Sequence, residues 1–236
     1  MTSPLPTIIK LEDVSKSFQT ARGPALVLRS VNMSIHPGEF VAIMGPSGSG
    51  KTTFLNLAAL LDRPTSGMIH FGGQDVSILD DPGLTTLRKH RIGMVFQRFC
   101  LLSHRTVLEN VLFRFRYLDI PRPAALTLAR QALAEMSLTA HADQPARLLS
   151  GGEMQRTAIA RAVAAPPNLL LVDEPTGNLD HDSAEVVMKC FQSLNRRGIT
   201  IILATHNPGL LKYCNRCLTC RDGTIVETPV SQTVMN

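Results

Sequence analysis

At 236 residues, 44% hydrophobic and 18% charged, the chain has the composition of a globular protein long enough for a sizeable core, not of a disordered one. Trp is absent and Tyr occurs twice, which argues against a surface of stacked aromatic rings for nucleic acid, and no nucleic-acid partner is expected. A net charge of +5 suits nucleotide phosphates, anionic lipid heads or an acidic partner equally well. No run reaches the roughly 18 apolar residues of a membrane-spanning helix. The opening MTSPLPTIIK has neither the basic nor the apolar region of a signal peptide, so a cytoplasmic location is expected. Five cysteines, an odd number, argue against a disulfide framework.

In chain order, IIKLEDVSKSF (8–18), VLRSVNMSI (27–35) and Phe40–Met44 read as antiparallel strands feeding a buried one, with a His36-Pro37-Gly38 turn before the last. TFLNLAALL (53–61) is an apolar helix directly after a Gly-rich loop. Pro64 to Gly67 makes a turn, and MIHFGG (68–73) begins another strand. From about 84 to 165 the pattern is helical, interrupted at Pro121, Pro123 and Pro145. Strand-like LLLVDE (169–174), a helix over Ser183–Asn195, strand-like ITIILATH (199–206) and a hairpin near Asp222-Gly223 follow, then a short polar tail over 227–236. No internal repeat or low-complexity tract is present. The reading is one α/β domain over 7–226, with a mostly parallel nucleotide-binding core, an antiparallel β subdomain and a helical subdomain over about 84–165.

GPSGSGKTT at 45–53 fits the phosphate-loop pattern G-x-x-x-x-G-K-S/T, with Gly45, Gly50, Lys51 and Thr52 in the fixed positions. The glycines let the loop of Gly45, Pro46, Ser47, Gly48, Ser49, Gly50, Lys51, Thr52 and Thr53 bend so that its N–H groups, which Pro46 lacks, converge on phosphate oxygens, and the following helix turns its positive end to the same anion. Lys51 can reach the β- and γ-phosphates, and the Thr52 hydroxyl can ligate Mg²⁺. The plain alternative is a turn between strand and helix; the buried strand before it and the apolar helix after it favour ATP or GTP. Leu169 to Val172 then ends in Asp173 and Glu174 at the strand end, where ligands bind in open α/β sheets. Asp173 is placed to hold Mg²⁺ through water, and Glu174 to take a proton from an attacking water.

Five further segments make the chain resemble the ABC ATPases. LSGGE (149–153), before MQRTAIARAVA, looks like that family's signature motif; Asp173-Glu174-Pro175-Thr176 and Gly177-Asn178-Leu179-Asp180 resemble its Walker B and D-loop. Gln97 in GMVFQRF falls at its Q-loop glutamine, and His206 at its switch histidine. The resemblance implies ATP and Mg²⁺ as cofactors, ATP hydrolysis, and two chains packed head to tail, with each ATP between one chain's phosphate loop and the other's signature loop. It implies that Ser150, Gly151 and Gly152 meet the γ-phosphate, with a plain N-cap as the alternative, and that Asp180 lies close by. His206 is implied to contact the γ-phosphate, Gln97 to join the Mg²⁺ site to the helical subdomain, and Phe18 to stack on adenine where relatives usually carry Tyr. Met154 departs from the Gln usual in the family.

QTARGPALVL (19–28), LAALLDRPTSG (57–67) and TGNLD resemble the lipoprotein-releasing and macrolide- or peptide-exporting (LolD/MacB-like) branch. That implies a separate integral membrane permease, a peripheral position on the cytoplasmic face of the inner membrane, and export or extraction of lipoprotein, peptide or drug-like cargo. A regulatory role in cell division, without transport, remains open. The permease is expected to dock on 97–102 and on TVLENVLFRFRYL (106–118), through Val107, Val111 and Leu118 beside Arg114 and Arg116; the alternative buries Val111, Phe115 and Leu118 in the chain's own core. Cys214, Cys217 and Cys220 form C-x-x-C-x-x-C, but residues three apart on a strand face opposite ways, which disfavours a shared metal.

Overall fold

The computed structural model describes residues 7–21 and 23–229; the opening MTSPLP, Arg22 within the 19–28 segment, and 230–236 of the expected tail lie outside the described residues. Strands β1 (Ile9–Thr20) and β2 (Gly23–Ile35) pair antiparallel, with Phe18 opposite Ala25 and Thr20 opposite Gly23. The segment 19–28, expected as a spacer, therefore flanks the tip of a hairpin. β4 (Ser66–Phe71) and the two-residue β5 (Gln74–Asp75) complete a four-stranded antiparallel sheet in the order β2-β1-β4-β5.

The second sheet holds β3 (Phe40–Met44), β6 (Ile92–Val95), β7 (Leu169–Asp173), β8 (Thr200–Thr205), β9 (Arg216–Arg221) and β10 (Thr224–Glu227), in the order β10-β9-β3-β8-β7-β6. All its pairings are parallel except β9 with β10, a hairpin whose turn places Asp222 and Gly223 at φ 49° and 80°. β3, β7 and β8 are near-continuous apolar runs because a parallel sheet is covered on both faces. Alternate residues feed two cores. Leu170, Val172, Ile201 and Leu203 face the helical side, whereas Leu169, Leu171, Ile202 and Ala204 pack with Phe54, Leu55 and the antiparallel sheet.

The six α-helices among the described residues are α1 (Lys51–Ala58), α2 (Asp81–Arg91), α3 (Val107–Leu112), α4 (Arg122–Glu135), α5 (Gly151–Val163) and α6 (His181–Arg196). The stretch 84–165 is not purely helical: Ile92–Val95 forms the edge strand β6 against β7, and the helical lobe proper is built from α3, α4 and α5. Four residues containing a glycine are too short to stand out between helical patterns. Pro121 precedes α4, Pro123 falls in its first turn, and Pro145 precedes the short 3₁₀ turn 146–148, where a missing N–H does least harm.

α3 opens with a capping box between Thr106 and Glu109, then tightens into a 3₁₀ turn over Phe113–Tyr117. The expected docking stripe is corrected here, because the face of α3 that carries it packs inward against the rest of the lobe. Val107, Val111, Phe115 and Leu118 are buried in the lobe's own core, and Phe113, Arg116 and Tyr117 are the residues turned outward.

Asn110, fully buried, holds the preceding loop: its Oδ1 accepts from Leu102 N (2.7 Å), and its Nδ2 donates to Leu102 O (3.1 Å) and Thr106 O (2.9 Å). Removing this amide leaves Leu102 N without its acceptor and the loop without its tie to α3, although Leu102 O and Thr106 O keep the backbone donors Arg105 N and Asn110 N. Asn110→Ala is expected to lower stability by about 2 kcal/mol in urea unfolding; a loss within error of zero would show that the loop does not depend on it.

Candidate nucleotide site

Loops that leave the carboxyl ends of β3, β6, β7 and β8 meet in a cleft of about 290 Å³. Its lining includes Ser47, Gly48, Gly50, Lys51, Thr52 and Thr53 from the phosphate loop, Gln97 after β6, Asp173 and Glu174 after β7, and His206 after β8. Gly45, Pro46 and Ser49 form the back of the loop and do not line the cleft. Gly50 sits in the left-handed region (φ 110°) as the N-cap of α1, with no side chain capping that helix end, so the first amides of α1 remain available to an anion. Gly45 tolerates no side chain: a Cβ there would collide with the carbonyl oxygen of Cys220.

The charged groups of the cleft are matched to one another. Lys51 Nζ donates to the carbonyls of Gly45 (2.7 Å) and Pro46 (3.1 Å) and lies 3.9 Å from Glu174 Oε1. Neighbours on a strand point to opposite faces, yet Asp173 and Glu174 both line the cleft, because Glu174 leaves β7 in the left-handed region at φ 44°. His206 Nδ1 lies 2.8 Å from Glu174 Oε1, and the Thr205 hydroxyl donates to Oε2 at 3.2 Å. The Glu174 carboxylate is thereby held at both oxygens.

Thr52 donates its hydroxyl to Asp173 Oδ2 at 3.2 Å, which puts a hydroxyl and a carboxylate oxygen side by side. These are hard oxygen donors of the kind Mg²⁺ takes. No group of three His, Cys, Asp or Glu able to hold a metal occurs among the described residues, so such an ion would complete its shell with phosphate oxygens and water. Gln97 borders the same space, its Nε2 3.4 Å from where a Cβ on Gly177 would stand.

Phe18, Ser150, Gly151, Gly152 and Asp180 do not line the cleft. Phe18 is 42% exposed on β1, with the Lys16 ammonium 5.0 Å from its ring centre. Ser150 is the N-cap of α5 in a capping box: its Oγ and N both donate to Glu153 Oε2 (2.8 Å each), and these bonds hold the Glu153 carboxyl below the usual range. The two glycines permit close packing. A Cβ on Gly151 would lie 3.3 Å from Leu179, and one on Gly152 3.0 Å from the Ser183 hydroxyl. Asp180 caps α6 by accepting from Ser183 N at 2.9 Å. The signature segment is thus an N-cap and also a fixed, outward-facing helix end.

Four participants were not legible in the sequence. Val27 of β2 lines the cleft, Thr205 orients Glu174, Asn110 fixes the loop after Gln97, and Arg161 of α5 donates to the carbonyls of Cys100 (2.6 Å) and Phe99 (3.1 Å). Thr205 and Arg161 act through hydrogen bonds to residues 31 and 61–62 positions away, for which no local pattern exists, whereas Asn110 reaches only eight residues back, into an irregular loop that carries no period. The cysteine row divides as strand geometry requires. Cys217 packs with Ala42, Met44 and Leu211, whereas Cys220 lies in the opposite core, its thiol donating to Ser49 O at 3.1 Å. Cys214 packs beside Cys217, and burial pushes its thiol up to about 12.

Residues 28–177 match the family model described as ABC transporter, and the chain belongs to that family. It is an α/β cassette of the ATP-binding, ATP-hydrolysing class. Among its relatives are the lipoprotein-releasing system ATP-binding protein LolD of Geobacter metallireducens, 40% identical over 93% of this chain and 98% of LolD, and the macrolide export ATP-binding/permease protein MacB of Salmonella choleraesuis, 42% identical over 95% of this chain. The chain therefore resembles the LolD/MacB group, and it spans only 35% of the length of that MacB. Among solved structures, the ATP-binding cassette MJ0796 in a dimeric post-hydrolysis state with ADP and Pi superposes with a TM-score of 0.85 at 37% identity, over 94% of this chain and 98% of that one.

Burial raises the Asp173 carboxyl above its ordinary range; the Glu174 charge adds to this, while the Thr52 hydroxyl and Lys51 oppose it. A carboxyl with a raised folded-state pKa binds its proton more readily folded than unfolded, so its ionised form costs stability at neutral pH. Asp173→Asn is expected to raise the melting temperature at pH 7 by roughly 2–4 °C. The gain should vanish as the pH falls through the raised pKa into the ordinary carboxyl range, and a variant that melts lower at pH 7 would contradict the assignment.

Proposed function

We propose that the chain drives a separate membrane permease by binding and hydrolysing ATP as one half of a head-to-tail pair. One observation carries this reading: the phosphate loop, the Asp173-Glu174 pair, Gln97 and His206 share a cleft, while Ser150, Gly151 and Gly152 open a helix outside it. Each chain then offers a cleft and a separate anion-binding helix end, and a second copy supplies the end that each cleft lacks.

In that pair Lys51 neutralises the β- and γ-phosphates, while the amides of 45–53 cradle them. Mg²⁺, held by Thr52 and through water by Asp173, with Gln97 beside it, supplies charge neutralisation at the phosphate oxygens when bound. Glu174 receives the proton of the attacking water, its carboxylate oriented by Thr205 and His206. His206, with 62% of its side chain exposed, also reaches the γ-phosphate. Phe18 stacks on adenine, supported by its exposed ring on the hairpin that also carries Val27. Asp180 caps α6 directly after Leu179, which lies against Gly151, and so stands next to the nucleotide of the opposite chain.

The permease docks in a groove of about 370 Å³ between the two lobes, lined by Leu61, Phe96, Cys100, Phe113 and Tyr117. Through Arg161, Asn110 and the Gln97–Leu102 loop, this groove connects with both the cleft and α5. No helix among the described residues is long and apolar enough to cross a membrane; the chain works as a peripheral subunit at the cytoplasmic face of the inner membrane. Its cargo is a lipoprotein, peptide or drug-like molecule that is extracted or exported, a reading supported by the names of the LolD and MacB relatives.

Glu174→Gln is expected to lower ATPase activity about a hundredfold or more, with ATP still bound. Tagged Glu174→Gln chain, pulled from its native membranes with Mg-ATP, is expected to bring down a permease; a regulator of cell-wall hydrolysis in its place would reassign the role to cell division. Phe113→Ala with Tyr117→Ala should cut that capture about tenfold. Undiminished capture would remove the groove as the docking site.

A further inference from the structure

The groove assigned above to the permease has walls of one polarity and a lining of one charge. Leu61, Phe96, Phe113 and Tyr117 are 53%, 39%, 42% and 60% exposed, a concentration of large apolar side chains beside a concave surface. Arg88, Arg114 and Arg161 line the same groove, and no Asp or Glu does. At the rim, the Lys89 ammonium lies 6.0 Å from the Tyr117 ring centre and the Arg116 guanidinium 6.0 Å from that of Phe113.

The three lining arginines have only neutral partners. Arg88 donates to Leu60 O (2.6 Å) and the Thr85 hydroxyl (2.5 Å). Arg114 donates to Lys89 O (2.7 Å) and Ile92 O (3.4 Å), and its Nε is buried without an acceptor. Arg161 is spent on the carbonyls of Phe99 and Cys100. Among the described residues, none of these three, nor Lys89, makes a salt bridge to a carboxylate. Guanidinium groups keep their charge when desolvated. Carbonyl dipoles offset that charge only in part, so a neutral occupant would strip the remaining water from several like charges and return nothing.

We infer that the groove takes an apolar helix of the membrane partner that carries an Asp or Glu, its carboxylate seated toward Lys89, Arg88 and Arg114. The inference rests on the reading that the permease docks here, and it adds the chemistry by which partners are told apart. Apolar walls around a concave floor fit a helix with projecting side chains better than a lipid head, which a flat basic surface would serve. The charge also gives the groove selectivity: a partner with Lys or Arg at the same place is repelled.

The test uses the tagged full chain in its native membranes and a water-soluble carbodiimide, which condenses an ammonium with a carboxylate to an amide with loss of water. Peptide mapping of the captured complex should find Lys89 joined to an Asp or Glu of the membrane protein. Lys89→Arg should abolish that cross-link, because a guanidinium does not form the amide. Lys89→Glu should lower capture about tenfold. Capture of the permease with Lys89 unlinked and with no effect of Lys89→Glu overturns the acidic-helix inference and leaves the docking reading standing. No capture at all overturns both. Binding of the purified chain to phosphatidylglycerol vesicles that is lost in Lys89→Glu, without a protein cross-link, assigns the groove to lipid and overturns the inference.

Discussion

Parallel pairing of β6, β7, β8 and β3 is the constraint on which the rest of the structure depends. In a parallel sheet every strand ends at the same edge, so the segments that leave those four strands must emerge side by side. Here they are the Gln97 loop, Asp173-Glu174, Thr205-His206 and the phosphate loop. Residues more than 150 positions apart, such as Lys51 and His206, meet on Glu174 because β8 lies between β3 and β7. The register is held from both faces by separate cores, one under the helical lobe and one under the antiparallel sheet. A slip in any one strand would exchange the residues facing the two cores.

That constraint gathers the cleft residues and leaves the start of α5, proposed as the other half of the phosphate site, outside. α5 begins in the helical lobe, where Ser150 and Glu153 fix its first turn and Gly151 and Gly152 let it press against Leu179 and Ser183. The helix end is rigid before any ligand arrives, and it lies outside the chain's own cleft. Arg161, on the same helix, grips the loop that follows Gln97, so α5, the groove and the cleft are joined by hydrogen bonds within one chain. A movement of the helical lobe cannot leave the Gln97 loop behind. In the proposed function, this is the path by which a change at the nucleotide would pass to a partner in the groove.

Much of this was written in local patterns. The phosphate loop, the apolar strand ending in Asp173-Glu174, and LSGGE were legible because their chemistry demands particular residues at fixed spacing. The pairing of ITIILATH with Phe40–Met44 was not, since nothing local specifies which strand lies next to which. For Val107, Val111 and Leu118 the apolar spacing allowed an outward stripe or an inward one, and only the packing of α3 against α4 and α5 decides that this face is buried and that Phe113 and Tyr117 stand outside. β6 was hidden because Ile92–Val95 is too short to carry a period. The left-handed turn at Glu174, which brings both acids to one side, left no trace in the residue types either.

The central claim is that the cleft of one chain is completed by Ser150, Gly151 and Gly152 of another, and the mass of the chain in solution tests it most directly. Sedimentation of the Glu174→Gln chain should give the mass of one chain without nucleotide and of two chains with Mg-ATP. Adding Ser150→Phe should return it to one chain while ATP remains bound. A Glu174→Gln chain that binds ATP and stays single, or that pairs equally well with Ser150→Phe, would contradict the account.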